Sequence, residues 1–374
     1  MMSETGKSTF GGRLALIASK RTLFEYSTFL DHLLVGLADE SIPVALVCPP
    51  GCDVDSVISG IAQVIRYPTF ELPFTKHLNR KILVQRLAEF EPAVLHCLCE
   101  SNASLTMHLA QQLGLPYVLT VNSLRKHWGH LPISQQCARI IVPAKSIAES
   151  VVKTYPHFAD RTKQINIGTF VQEKSNCFSD PSRLTSIVAV LAEGTLDNVD
   201  DFENLFNAVR SLMIDRYEFM VVVVGEGKAE MQLRKLSAAL GLLQIVTIVP
   251  RLRPWHCVFA AGDIFIQPQP AYSFNPLLVE AMSVGAAVAA CKGGVDDLVI
   301  ENQTAIVFDP NDELIIKSTL QTLFDRREFA RKIAQGAQNH LRENHTVSKM
   351  ISATLQTYDD AGKWRRGEKE NKKR

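Results

Sequence analysis

"NPLLVEAMSVGAAVAACKGGVDDLVIENQTAIVFDPND", Asn275 to Asp312, decides the fold of this 374-residue chain. Asn275 is a good helix N-cap and Pro276 sits well at the first helical position, so the run up to Gly285 reads as a helix with a fixed start. Val288 to Ala290 then reads as a buried strand, Gly293-Gly294 as a turn, "VDDLV" as an acidic helix start, and Ala305 to Phe308 as a second strand ending in "DPND". The helix start, with its free N–H groups and positive dipole end, would face a ligand, as at the mouth of a binding site.

The same alternation extends through the chain. Short runs rich in Val, Ile and Leu alternate with longer amphipathic stretches, the pattern of parallel sheets covered by helices on both faces. In the first half the strands fall at Leu14 to Ala18, Val44 to Cys48, Val64 to Tyr67, Val94 to Cys97, Tyr117 to Val121, Ile140 to Val142 and Ile165 to Ile167. "EYSTFLDHLLVGLADES" lies between the first two, with Phe29, Leu33, Leu34 and Leu37 at helical spacing. A second series follows at Ile187 to Leu191, Met220 to Val224, Val246 to Val249, Ile264 to Gln267, Val288 to Ala290 and Ala305 to Phe308. Two α/β series joined by the polar stretch "VQEKSNCFSDPSRL" predict two Rossmann-like domains facing across a cleft, with substrate at the carboxyl ends of both sheets.

The expected boundaries are a disordered start at 1–12, a first domain at 13–172, a linker at 173–184, a second domain at 185–345, a terminal helix at 346–362 and a basic tail at 363–374. Seven of the last twelve residues are Lys or Arg, which reads as a solvated tail.

Composition narrows the class. Hydrophobic residues at 46% and charged residues at 21% describe a globular protein, and a net charge of +1 argues against nucleic acid as a partner. No apolar run is long enough to span a bilayer and "MMSETGKSTFGGR" lacks the apolar core of a secretory signal, so a cytoplasmic location is expected. The eight cysteines include no CxxC pair and read as buried, reduced thiols. Asp53 and Asp55 in "CDVDS" follow the second strand and read as a surface turn rather than a metal site. In "PFTKHLNRKILVQRLAEF", Lys76, Arg80, Lys81 and Arg86 accompany Leu78, Ile82, Leu83 and Leu87. That pattern fits a packed helix with a wet basic face, and equally one that sits on an anionic membrane.

A second ligand feature is "VVVVGEGKAEMQLRKLSAALGL", a buried strand, the turn Gly225, Glu226, Gly227, and a helix through Met231, Leu233, Leu236 and Leu240 that Gly241 ends. Such a turn can offer N–H groups to a pyrophosphate, and is also simply the shortest strand-to-helix connection.

With "EPAVLHCLCES", "LGLPYVLTVNS", "CARIIVPAKSIAESV" and "VTIVPRLRPWHCVFAAGDIFIQPQ" in the same order, most of the chain resembles the nucleotide-sugar-dependent glycosyltransferases of the GT-B fold, most nearly the retaining family 4, or group 1. The resemblance implies transfer of a sugar from a nucleotide-sugar donor to a hydroxyl acceptor, a glycan, lipid or small molecule, with retention and without a bound cofactor. It places the donor in the second domain and the acceptor in the first, with the terminal helix crossing back to the first. Some relatives use a helix like that in "PFTKHLNRKILVQRLAEF" to sit on anionic membranes and reach lipid acceptors, and for this chain that would imply a peripheral contact on the cytoplasmic face.

Residue by residue, the family's Glu-x7-Glu places its second Glu, the ribose ligand, at Glu280, and its first at Tyr272. The family's Gly-Phe-Gly loop is Ser273, Phe274, Asn275 here, followed by Pro276 and Leu277. Backbone N–H groups of Phe274 to Leu277 and of Gly225 to Gly227 are then the expected phosphate ligands. The family's Arg and Lys after the first strand of the second domain fall at Ala192 and Asp197, and Lys20, Arg21 or Arg251 are the candidate replacement cations. The family's His after the fifth strand is Asn122, with His127 and His130 nearby. These departures leave a second reading, a relative that has lost transfer and serves as a binding or scaffold subunit beside an active paralogue.

Overall fold

A computed structural model describes residues 10–52, 54, 60–67, 76–178, 188–193, 196–250 and 262–371. The chain divides into two compact units, the first Met1–Gly168 with His345–Arg374, the second Thr169–Asn344.

The first unit contains β1 (Leu14–Ile17), α1 (Lys20–Glu25), α2 (Ser27–Asp39), β2 (Val44–Cys48), β3 (Ala62–Arg66), α3 (Lys76–Phe90), β4 (Val94–Cys97), α4 (Ala103–Leu113), β5 (Tyr117–Thr120), α5 (Arg125–Trp128), β6 (Cys137–Val142), α6 (Lys145–Thr154) and β7 (Thr162–Gln164). Its sheet runs in the order β3-β2-β1-β4-β5-β6-β7, every neighbour parallel. All four residues of β1 and all five of β2 are buried. Burial of both faces is what a parallel sheet clad in helices requires, and it explains the continuous apolar runs.

The second unit contains β8 (Val188–Glu193), α7 (Asp200–Ile214), β9 (Phe219–Val224), α8 (Glu230–Ala239), β10 (Val246–Val249), β11 (Ile264–Gln267), α9 (Pro276–Val284), β12 (Ala287–Cys291), β13 (Ile306–Phe308), α10 (Glu313–Asp325) and α11 (Arg327–Asn344). Its strand order, β10-β9-β8-β11-β12-β13, repeats the first six positions of the other sheet, again all parallel. Phe202, Phe206, Val221, Val223, Ile264 and Leu320 are in its core. In each sheet the order reverses between the first and fourth strands of its series, so the crevice that binds ligands in such folds lies at the carboxyl ends of β1 and β4 in one unit and of β8 and β11 in the other.

The chain re-enters the first unit at His345, whose Nδ1 is 2.9 Å from the Ile167 carbonyl oxygen. The last helix, α12 (Val347–Asn371), follows. Tyr358 and Met350 on α12 join the first unit's core, and Gly36 on α2 leaves room for Ile351.

Several local expectations change. The two edge strands shift, to Ala62–Arg66 and Thr162–Gln164, because edge strands carry polar exposed positions while the apolar Ile165 and Ile167 leave the strand and turn into the core. Lys20 and Arg21 lie on a short helix rather than a loop, since the Ser19 side chain caps it by accepting from the Thr22 N–H at 3.1 Å. "VDDLV" forms a turn and not a helix start, Asp296 Oδ2 accepting from the Gly293 N–H at 3.0 Å. The terminal helix continues past residue 362 to Asn371, into the expected tail.

Candidate functional site

In the second unit the candidate site is assembled from loops at the strand ends. After β9, Gly225 donates its N–H to the Val249 carbonyl at 3.1 Å, and the Glu226 carbonyl accepts from Leu196 N–H at 3.3 Å. A Cβ at Gly227 would collide with the Leu196 backbone, and Ala229 N–H donates to Leu196 O at 2.7 Å. The turn is therefore shaped to seat the Leu196 backbone. Of its three predicted phosphate donors, the Gly225 N–H is already used by the sheet. Lys228, exposed directly after the turn, is a further cation, one that no motif spacing singles out.

The loop before α9 is fixed by two glycines. Gly293 and Gly294 adopt φ of +105° and +83°, and a side chain on Gly294 would meet the Ala271 carbonyl. Val295 N–H donates to that same carbonyl at 2.6 Å. Tyr272 and Ser273 are half-buried next to this anchor, and Phe274 is buried.

Asn275 holds the helix start by three bonds. Its Oδ1 accepts from Leu277 N–H at 3.0 Å and Leu278 N–H at 3.4 Å, while Nδ2 donates to Gln267 Oε1 at 3.1 Å. Pro276 has no N–H at all. The expected phosphate cradle is thus partly filled by the protein itself, because the side chain that caps the helix takes the donors that an anion would use. Glu280, one turn on, is 7% exposed, so its carboxylate is held inside the fold next to this loop.

The segment following β8 is acidic. Asp197, Asp200 and Asp201 lie together, and burial, followed by the neighbouring Asp200 and Asp197 charges, pushes the Asp201 carboxyl up. No cation stands at Asp197, and Arg251, a proposed substitute, lies outside the described residues, as do Asp53 and Asp55.

In the first unit, Glu100 organises the loops after β4 and β5. Its Oε1 accepts from the Asn122 N–H at 2.6 Å, the Ser123 N–H at 2.7 Å and the Ser123 hydroxyl at 2.8 Å. Asn122 is 7% exposed and its Nδ2 donates to the Leu98 carbonyl at 2.9 Å, so the amide is committed to holding the loop. Arg21 Nε lies 2.6 Å from Glu25 Oε2. Burial lowers the Arg21 pKa, but the Glu25 charge and hydrogen bond, with smaller contributions from Tyr26 and Glu100, outweigh it and raise the value. Arg21 is matched locally by carboxylates, which weakens it as a replacement cation; Lys20 beside it is exposed. His130 Nδ1 lies 3.4 Å from the Tyr155 hydroxyl, away from Asn122's bonds. The seven described cysteines are buried and free, and among the described residues no cluster of His, Cys, Asp or Glu is arranged to hold a metal. Likewise, no described helix is long and apolar enough to cross a membrane.

Residues 188–340 match the family model for glycosyl transferases group 1. Over 93% of its length the chain is similar in structure to Anabaena Alr3699/HepE, solved with UDP and glucose, with a TM-score of 0.76 at 15% identity and 99% of that chain covered. Sucrose-phosphate synthase from Thermosynechococcus elongatus gives 0.75 at 17% identity over 92% and 98%. The chain has the GT-B glycosyltransferase fold. In sequence, it is 21% identical over 308 residues to sulfoquinovosyl transferase SQD2 of Arabidopsis thaliana, which covers 74% of this chain and 59% of the plant protein. A D-inositol 3-phosphate glycosyltransferase from Corynebacterium efficiens is 30% identical over 112 residues, 29% of this chain and 26% of its own. The chain therefore matches less than two thirds of the length of either relative. Within the GT-B frame the group 1 match falls on the unit that contains Asn275, Glu280 and the Gly225–Gly227 turn.

Proposed function

We propose that the protein transfers a sugar from a nucleotide-diphosphate donor to a hydroxyl acceptor, with retention at the anomeric carbon. The observation that carries this reading is the group 1 match over residues 188–340, centred on a unit whose loop, helix start and buried Glu280 adjoin one another. UDP in the HepE structure supports uridine diphosphate as the first nucleotide to test.

In this scheme the Glu280 carboxylate, buried beside the loop, accepts hydrogen bonds from the hydroxyls of the donor ribose, the neutral donors an acceptor-only group takes. Backbone N–H groups of Ser273 and Phe274 and the Lys228 ammonium approach the diphosphate, whose negative charge grows as the sugar leaves. The C1–O bond to the diphosphate breaks with its electron pair leaving on the diphosphate. The acceptor oxygen bonds C1 on the same face and its proton passes to the departing diphosphate oxygen. Asp197, Asp200 and Asp201 repel that developing charge, so turnover is expected to be slow.

Calorimetric titration with uridine, guanosine and adenosine diphosphates tests the reading. UDP is expected to bind with a Kd below 1 mM, and Glu280→Gln to weaken it about tenfold, ~1.4 kcal/mol. Absence of binding by all three at several millimolar overturns the proposal.

A further inference from the structure

The first unit contains a pocket at the carboxyl ends of its central strands. It is lined by Leu98 just after β4, Thr120 at the end of β5, Asn122 beyond it, Ile141, Ile165 and Tyr26. Phe29 and, from α12, Met350 and Thr354 close it. It lies where α/β sheets of this order bind ligands.

Its chemistry excludes charge. None of the lining side chains is Lys, Arg, Asp or Glu. The one titratable base, His96, has both ring nitrogens engaged, Nδ1 with the Tyr358 hydroxyl at 2.6 Å and Nε2 with Thr120 Oγ1 at 2.8 Å. Burial holds it neutral, its pKa lowered to about 3. Tyr26 stays a phenol, pushed well up by burial and then by the Glu100 and Glu25 charges. An anion or cation entering here would lose its hydration and touch no charged side chain in the lining.

What remains is apolar wall and hydroxyl or amide groups, the inventory that suits a neutral alcohol. The space between its atoms, part of it open to solvent, is about 440 Å³. A slender chain fits such a space, and Met350, with its flexible thioether, is the side chain best able to yield to it.

We infer that this pocket binds an uncharged alcohol with a narrow hydrocarbon chain, the hydroxyl meeting Thr120, Asn122 or Tyr26 and the chain lying against Ile141, Ile165 and Met350. That this alcohol is the sugar acceptor rests on the transferase reading above; that it binds does not.

The experiment uses the full chain and three eight-carbon probes, octan-1-ol, octanoate and octylammonium, titrated by calorimetry at pH 7.5. Octan-1-ol is expected to bind at least tenfold more tightly than either ion. A smaller margin, or no octan-1-ol binding at 2 mM, overturns the inference. Ile165→Phe and Thr354→Leu, which narrow or strip the pocket, are expected to weaken octan-1-ol at least tenfold while UDP affinity is unchanged; unaltered octan-1-ol binding in a folded variant places the site elsewhere. Because either variant can fail to fold, a photoreactive diazirine octanol is also cross-linked to the unmodified protein. Label on 118–122, 141–167 or 350–354 supports the pocket, and label confined to other segments refutes it. A parallel UDP titration separates the two proposals. UDP binding without octan-1-ol binding sinks the pocket alone, and the converse sinks the transferase reading and leaves the pocket standing.

Discussion

Three loops of the second unit pass tightly against neighbouring residues at glycines, whereas the loops after β4 and β5 of the first unit are tied by side chains. Gly227 lies on Leu196, Gly285 on Ser175 and Gly294 on Ala271, each so close that a Cβ has no room. The first unit instead uses Glu100 beneath Asn122 and Ser123, Ser19 at the start of α1, and the His96 imidazole between Tyr358 and Thr120. Glycine contacts fix a loop's path without spending side-chain polar groups. Side-chain contacts spend the polar groups and leave a neutral interior. The same strand order thus carries two differently built sets of loops.

The sharpest way to break this contrast is Gly294→Ala. The position has φ of +83° and faces the Ala271 carbonyl, so alanine meets both backbone strain and a clash. A loss of about 3 kcal/mol is expected in the denaturant transition of the second unit. A loss under ~1 kcal/mol would mean that the loop around Tyr272 moves aside, and that glycine packing does not define it.

His96 tests the side-chain mode. In the unfolded chain an imidazole takes up its proton near pH 6.5, whereas in the fold it stays neutral down to about pH 3. The unfolded state therefore binds more protons between these values, and stability falls as pH drops through that window, by at most about 1.4 kcal/mol per pH unit. Replacing His96 by Leu orphans the Tyr358 and Thr120 hydroxyls and is expected to cost about 2 kcal/mol at pH 8. The variant's stability should then vary less between pH 6.5 and 4, and an unchanged slope would assign the acid sensitivity to other groups. Glu100→Gln is a smaller perturbation, since the amide oxygen still accepts while the charge is gone; about 1 kcal/mol is expected by thermal unfolding.

The contrast also explains what could be read from the chain before its structure. Central strands such as "LALI" and "VALVC" were legible because burial on both faces leaves an unbroken apolar run. The edge strands were displaced by a few residues, since Thr162–Gln164 is polar and the conspicuous isoleucines lie just beyond it. Glycine positions in the second unit announce themselves, because no other residue serves there. Glu100 does not, because its three donors lie 22 and 23 residues away and are brought to it only by the parallel pairing of β4 with β5. The short helix carrying Lys20 and Arg21 was hidden for a related reason. Its signal is a single serine cap in front of six residues, too little for periodicity to register.

Asn275 is where the two modes meet, a side-chain cap placed among the glycine-held loops of the second unit. Asn275→Gly is expected to cost only a few tenths of a kcal/mol, and Asn275→Ala about 1 kcal/mol, because glycine is itself a tolerable N-cap. Either change frees the Leu277 and Leu278 N–H groups that Oδ1 now occupies. If the helix start receives the donor diphosphate, both variants should bind UDP more tightly, by about threefold to tenfold, ~0.6 to 1.4 kcal/mol, since no internal hydrogen bond must be displaced. The gain should disappear with uridine, which lacks phosphate. Weaker UDP binding in both variants would reverse the assignment. The Asn275 amide would then be a ligand of the nucleotide, turned from Gln267 toward it on binding, and the second unit would hold its donor by a side chain after all.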